Sequence, residues 1–331
     1  VVYDNLIKSV HGGLKYLHGY MGWRAEKMGL AKLHMYDLHV PVVSEYKLSV
    51  SYEEACEIVK KALAPLGEEY LSHIREAMEN RWIDVYENKG KRTGAYSWGT
   101  YRSHPYVLLN YNGTAHDVFT IAHELGHSMH SYYSDKNQPS SKAQYEIFVA
   151  EVASTVNEVL LLKYMLEHSR DEQEREYLLT YYLDMFRTTL FRQTQFAEFE
   201  EKAHALAEKD MPVTCDALNE EYLKINKLYY GKNVVSDKQI AWEWARIPHF
   251  YRSFYVYKYA TGLTSAVSIA RGILSGGEKE KEGYMKFLSA GGSMPPVEIL
   301  KLAGVDLTTE VPFENAMREM ADTLGLLKRE K

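Results

Sequence analysis

Apolar residues recur every three or four positions over most of this chain, interrupted by one short glycine-punctuated stretch, and the pattern predicts a mainly α fold with a small β-sheet. Residues 3–29 open it with Leu6, Val10, Leu14, Leu17 and Met21 on one helical face. Residues 35–43, holding Pro41, read as a turn or extended piece. Ser51 and Glu54 form a capping-box pair that opens a helix through Ile58, Leu63 and Leu66; Pro65 marks a boundary, and another helix runs to about Asn80. The period changes at Arg81. Residues 82–86 and 105–110 have strand character, with Gly90, Gly94 and Gly99 between them and a turn at Asn112-Gly113. The last of these strands is expected to lie beside the following helix, where it either braces that helix or offers a free edge to an extended peptide, with Gly94, Ala95 and Tyr96 as the residues that distinguish the two.

From Thr114 the helical period returns. Thr114 and Asp117 make a second capping box, and no proline intervenes before Pro139. Val118, Ile121, Leu125, Met129 and Tyr132 form the apolar side, while His116, Thr120, His123, His127 and His130 are expected on the opposite one. His123-Glu124-Leu125-Gly126-His127 is an HExxH motif. Residues four apart stack on a helix, so His123 and His127 offer two imidazoles at a separation one zinc ion can bridge, and Glu124 stands about 100° round from His123. Three fixed letters also arise by chance, so a third ligand has to decide.

After a polar loop expected at 134–142, a helix over about 145–167 is apolar nearly all round, yet Glu151 sits in its middle. A buried carboxylate needs a cation, and a zinc on the preceding helix would serve; the alternative is a salt bridge to Arg187 or Arg192. Glu146 and Glu158 are fallback ligands, Glu158 better suited to holding a ligating imidazole in its tautomer. His130 lies about 10 Å along the axis from His123, too far to share the ion.

Two or three more helices fill 170–230, with Phe186, Leu190, Phe196 and Phe199 at core spacing, a break at Asp210-Met211-Pro212, and Arg187, Arg192, Gln193 and Glu198 either in a buried polar network or, the safer reading, on a solvated face. The aromatic run 242–262 is either core or chemistry. Peptide hydrolysis builds negative charge on the carbonyl oxygen, and His249 with one or two tyrosines could donate hydrogen bonds to it. A loop at 291–296 leads into a helix from Val297, and 313–327 forms an amphipathic last helix.

With 331 residues, 46% of them hydrophobic, the chain has ample material for a core. A net charge of −6 leaves no basic excess to neutralise phosphates, which excludes a general nucleic-acid or anionic-membrane binder. Cys56 and Cys215 have no CxxC spacing, so a reducing, cytoplasmic setting is expected, and the longest apolar run, 159–162, is too short to span a bilayer. Val1 in place of an initiator methionine points to a fragment.

HELGHSMHSYYS at 123–134, FVAEVASTVNE at 148–158, KGKRTGAYS at 89–97 and HFYRSFYVYKYATG from His249, with VYDNLI at the start and HMYDL near Met35, together resemble oligoendopeptidase F of the thimet-oligopeptidase-like M3 metallopeptidases. The resemblance implies a zincin-like (gluzincin) fold and one zinc per chain, held by His123, His127 and Glu151, with Glu124 as general base. It also implies His249 on the oxyanion side and Tyr257 as the catalytic tyrosine. Phe254 stands where the thimet-type branch has another tyrosine, which leaves Tyr251 or Tyr255 to take part. The expected organisation is one catalytic domain over 1–331 without the family's N-terminal helical region: a helical scaffold 1–80, the sheet and metal helices 81–169, and a helical lobe 170–331. The function expected is a zinc-dependent endopeptidase for internal bonds of short peptides. The alternatives are a zinc carboxypeptidase or dipeptidyl carboxypeptidase of related fold, or a fragment that binds peptides without cutting them.

Overall fold

The computed structural model describes residues 1–43 and 49–329. Its internal contacts divide the chain into two compact units, 1–44 with 172–264 and 307–331, and 45–171 with 265–306.

In the first unit the helix Val2–Lys27 buries the expected stripe of Leu6, Val10, Leu14, Leu17 and Met21. It packs against the helices Arg192–Glu208, Cys215–Tyr230 and Val311–Leu327. Leu33 and His34 pair in parallel with Val234 and Val235, and the expected turn after them is a 3-10 helix, Met35–His39. A π-helical stretch, Phe186–Phe191, joins Glu172–Met185 to Arg192–Glu208.

Of the two readings of this face, the buried polar network holds for Arg187 and Glu198 and the safer, solvated one does not. Arg187 and Glu198 are buried: Arg187 Nε donates to Asp184 at 2.7 Å, and Glu198 accepts from the Tyr229 hydroxyl at 2.9 Å. The buried Glu243 accepts from Arg192 and Tyr222 at 2.6 Å and from Arg246 at 2.5 Å. Paired charges with satisfied hydrogen bonds can be covered, and partners as far apart as Arg192 and Glu243 or Glu198 and Tyr229 leave no trace in helical periodicity.

The second unit holds the helices Tyr52–Ala62, Glu68–Glu79, Ala115–Asn137 and Ile147–Glu167, with Glu278–Leu288 and Pro296–Leu302. Both capping boxes form. The Ser51 hydroxyl accepts from Glu54 N, the Thr114 hydroxyl accepts from Asp117 N, and each carboxylate accepts from the cap residue's own N–H.

The sheet corrects the sequence reading. A third strand, Tyr96–Trp98, pairs antiparallel with Tyr106–Leu108, while Ile83–Asp84 pairs parallel with it on the other side. Tyr106–Leu108 is therefore central, with both sides hydrogen-bonded, and the edge strand packed along the Ala115–Asn137 helix is Tyr96–Trp98. The polar loop expected at 134–142 is also largely helical, because Ser134 is buried and donates to the Ala143 carbonyl; the helix runs on to Asn137, and Ser140–Ala143 forms one more turn.

His130 is a further correction. It is fully buried, its ring stacked 3.7 Å from Tyr145 and 5.1 Å from Phe287, and neither ring nitrogen has a hydrogen-bond partner among the described residues. The helix is covered on more sides than one apolar stripe requires. Burial pushes the His130 pKa down to about 3, so the folded state holds it neutral while the unfolded chain takes up a proton below about pH 6.5. The folded pKa is depressed, so this contribution to stability is full above pH 6.5 and is lost as pH falls from 6.5 towards 3. Between pH 7 and pH 5 the loss amounts to about 2 kcal/mol. Urea unfolding of His130→Phe should show a pH 7 to 5 decline smaller than wild type by about that amount; equal declines would show that His130 does not hold its neutral form in the fold.

Candidate metal centre

Two antiparallel helices build the site. Ala115–Asn137 and Ile147–Glu167 form the most extensive helix–helix contact of the second unit, and residue numbers run in opposite directions along their seam. At its centre stands Gly126. A Cβ there would meet the Ser154 Cα at 2.6 Å and the Ala153 carbonyl oxygen at 2.7 Å, so only glycine admits the second backbone at this distance. The approach brings the next ring of side chains together.

His123 Nε2 and His127 Nε2 lie 3.1 Å apart, and Glu151 Oε2 lies 3.5 Å from each. Ligand atoms about 2.0–2.1 Å from a tetrahedral zinc are separated by about 3.3 Å, so the three separations are close to what such an ion requires. Nitrogen, nitrogen and oxygen donors with a fourth position left over are also the donor set of catalytic rather than structural zinc sites. Among the described residues these three form the only group of metal-ligating side chains with such convergence.

The surroundings fix the donors. His123 Nδ1 is 2.5 Å from Glu158 Oε1, which leaves Nε2 as the atom turned to the other ligands. Burial disfavours the His123 cation, but the hydrogen bond and charge of Glu158, with Glu151 and Glu124 adding, push its pKa up to about 9. Burial also opposes the Glu151 anion, and the two imidazoles outweigh it, so its carboxyl titrates below its ordinary range. Arg187 and Arg192, the alternative partners expected for Glu151, are engaged by Asp184 and Glu243. Glu146 is exposed at the cap of its helix, away from any ligand role. Glu124 is buried with Oε2 lacking a hydrogen-bond partner, and burial raises its pKa although both imidazoles pull it down.

Of the residues expected to touch a peptide, Tyr96 opens the edge strand and is exposed, and Ala95 precedes it half-buried. Gly94 has φ +89°, and its carbonyl accepts from Asn110 Nδ2 at 2.8 Å. Ser97, between the two exposed rings of Tyr96 and Trp98, has its hydroxyl 2.9 Å from that of Ser128, the residue after His127. The edge strand therefore runs directly beside the ligands.

The remaining candidates belong to the first unit. His249 stacks on Tyr255 at 5.6 Å, and its Nε2 is 3.5 Å from the Tyr259 hydroxyl. Tyr257 opens the helix Tyr257–Gly276 with its ring 5.2 Å from Tyr3, and burial raises its pKa. Tyr251 is almost wholly exposed. Sequence reasoning missed Tyr259, whose place one helical turn beyond Tyr255 was the available signal. It also missed Asn157, a polar residue in the most apolar helix of the chain.

The family described as Peptidase family M3 matches residues 1–319. The chain belongs to this family. It is 48% identical over 323 residues to Oligopeptidase PepF of Bacillus subtilis, covering 98% of this chain and 48% of that protein. Against oligoendopeptidase-F of Enterococcus faecium the structure superposes with a TM-score of 0.77 at 38% identity, covering 99% of this chain and 52% of the other. A crystal structure from Chlamydophila abortus gives a TM-score of 0.94 at 42% identity, covering 100% and 55%. The fold is thus the zincin-like helical fold of the M3 family, and the chain spans about half the length of the curated relatives it matches. No helix among the described residues is long and apolar enough to cross a membrane.

Gly126→Ala should disturb this centre first. Overpacking costs about 1–3 kcal/mol, more where backbone has to move. A lower melting temperature together with loss of metal uptake in a dialysis assay with zinc is expected; a variant that takes up the ion like wild type would show that the ligands converge without the close approach at Gly126.

Proposed function

We propose that this chain is the catalytic portion of a zinc-dependent endopeptidase that cuts internal bonds of short peptides. The observation that carries the reading is the convergence of His123, His127 and Glu151 at 3.1–3.5 Å with the buried Glu124 beside them. Bound there, zinc would polarise the scissile carbonyl and lower the pKa of a water towards neutrality. Glu124 takes a proton from the attacking water and delivers it to the leaving nitrogen; its burial and its unpartnered oxygen suit a base that must hold a proton transiently. Glu158 orients the His123 ring throughout.

His249 and Tyr257 donate hydrogen bonds to the carbonyl oxygen as it gains charge, with Tyr251 or Tyr255 as the alternative donors. The edge strand Tyr96–Trp98, approached through Gly94 and Ala95, pairs with the extended substrate. Peptides as substrates are supported by relatives named oligopeptidase and oligoendopeptidase. One zinc serves each chain, residues 1–331 act as one catalytic domain, and the two unpaired cysteines suit a reducing, cytoplasmic setting. The second reading is a chain that binds peptides without cutting them.

Product mapping by mass spectrometry on the zinc-loaded chain separates these readings: internal cuts are expected, trimming from one end would mark an exopeptidase, and binding without hydrolysis the second reading. Glu124→Gln should retain zinc and lose about 10²–10⁴-fold in kcat. Full turnover in that variant would remove Glu124 as the base. For Tyr257→Phe the expected change is a fall of about 10²-fold in kcat with KM nearly constant, since its hydrogen bond is made in the transition state; an unchanged kcat returns this tyrosine to packing alone.

A further inference from the structure

The ligand atoms converge only if the two helices lie in one register, and Gly126 does not determine it: a close approach permits sliding, whereas directional bonds do not. Two such bonds cross the seam at adjacent positions. Asn157 Nδ2 donates to the Ala122 carbonyl oxygen at 3.0 Å, and one residue further along each helix Glu158 meets His123 Nδ1 at 2.5 Å. Ala122 precedes the first ligand, and its carbonyl has a second lone pair beyond the one its own helix uses.

Asn157 is fully buried, in a helix whose neighbouring positions Val152, Ala153, Val156, Val159 and Leu160 are all buried and apolar. An amide there is costly unless both of its ends are satisfied. Its oxygen is satisfied from a third helix: the hydroxyl of Tyr70, on Glu68–Glu79, donates to Asn157 Oδ1 at 3.1 Å. The Ala122 carbonyl can only accept, which settles that the amide nitrogen points at it and the amide oxygen at Tyr70. Tyr70 is itself fully buried and stacked on Tyr133, a residue of the Ala115–Asn137 helix, at 6.3 Å and 12°. The chain of contacts from Tyr70 through Asn157 to Ala122, and from Tyr70 back to Tyr133, closes around both ligand-bearing helices.

We propose that Asn157, oriented by Tyr70, is a positioning residue that sets the register of the two metal helices and so the separation of His123 and His127 from Glu151. It touches none of the ligands. Its effect on them passes through the backbone at Ala122 and through the placing of Glu158. The proposal rests on the reading of the three side chains as a zinc site, and it extends that reading to residues outside the HExxH motif and its third ligand.

The test uses the full chain and the variants Asn157→Leu, Tyr70→Phe and Val156→Ala. Zinc affinity is measured by competition with a chromophoric chelator, and stability by thermal melting. Asn157→Leu, which keeps the volume and removes both bonds, should raise the zinc dissociation constant about 10- to 100-fold, in the range seen when outer-shell partners of a metal site are lost. Tyr70→Phe, which leaves the amide in place, should give a smaller rise of the same kind. Val156→Ala destabilises the same helix without touching the bridge, and should lower the melting temperature while leaving zinc affinity unchanged. A Val156→Ala loss of affinity equal to that of Asn157→Leu would reduce the effect to general stability and overturn the proposal, as would wild-type affinity in both bridge variants.

A second readout needs no zinc. The low-field proton resonance of the His123 Nδ1–H, identified by its absence in Glu158→Gln, should be sharp in the metal-free wild type and lost or displaced in Asn157→Leu. An unchanged resonance in Asn157→Leu would also overturn the proposal. Failure of the wild-type chain to take up zinc would instead strike at the metal-site reading, while this resonance would still report on the register.

Discussion

Two helix backbones meet without a side chain between them at Gly126, and the rest of the candidate centre depends on that approach. A side chain at this position would hold the Ile147–Glu167 helix away by the width of a methyl group, and Glu151 would no longer reach the histidines. The seam cannot use hydrophobic contact alone, because such contact is indifferent to small displacements along the helix axis. Ionic and polar groups supply the directionality, and each is placed where burial makes it effective and an unsatisfied partner would be costly.

The histidines, the glutamate between them and the odd carboxylate in an apolar helix were all legible in the sequence, because each is a local anomaly: a motif at helical spacing, or a charge where periodicity leaves no water. Glu158 was legible for the same reason. Both capping boxes were legible because their partners are three residues apart. What escaped were features whose cause lies elsewhere in the chain. The strand Tyr96–Trp98 has three residues between glycines and exists only because Tyr106–Leu108 offers it an edge. Asn157 reads as one polar letter until Ala122 and Tyr70 are known to surround it. The sequence left Arg192 between a solvated face and a buried network, and the buried Glu243, far along the chain, decides it.

His130 shows the limit of pattern reading most clearly. Its helical angle groups it with the ligands, yet it is stacked on Tyr145, with Phe287 tilted against it, and held neutral. It lies three positions on from His127, and one side of a helix can therefore hold both a candidate metal ligand and, further along, an inert imidazole in the core.

The segmentation of the two units bears on how the chain acquires its structure. The metal helices are separated by only the short connection from Asn137 to Ile147, so the contacts that bring His123, His127 and Glu151 together are local in sequence. In the first unit the helix Val2–Lys27 packs on Val311–Leu327, almost the whole length of the chain away. Contacts that close long loops form late and slowly. During synthesis, therefore, the Val2–Lys27 helix waits for the much later Val311–Leu327, while the residues proposed for the chemistry can assemble before that partner is made.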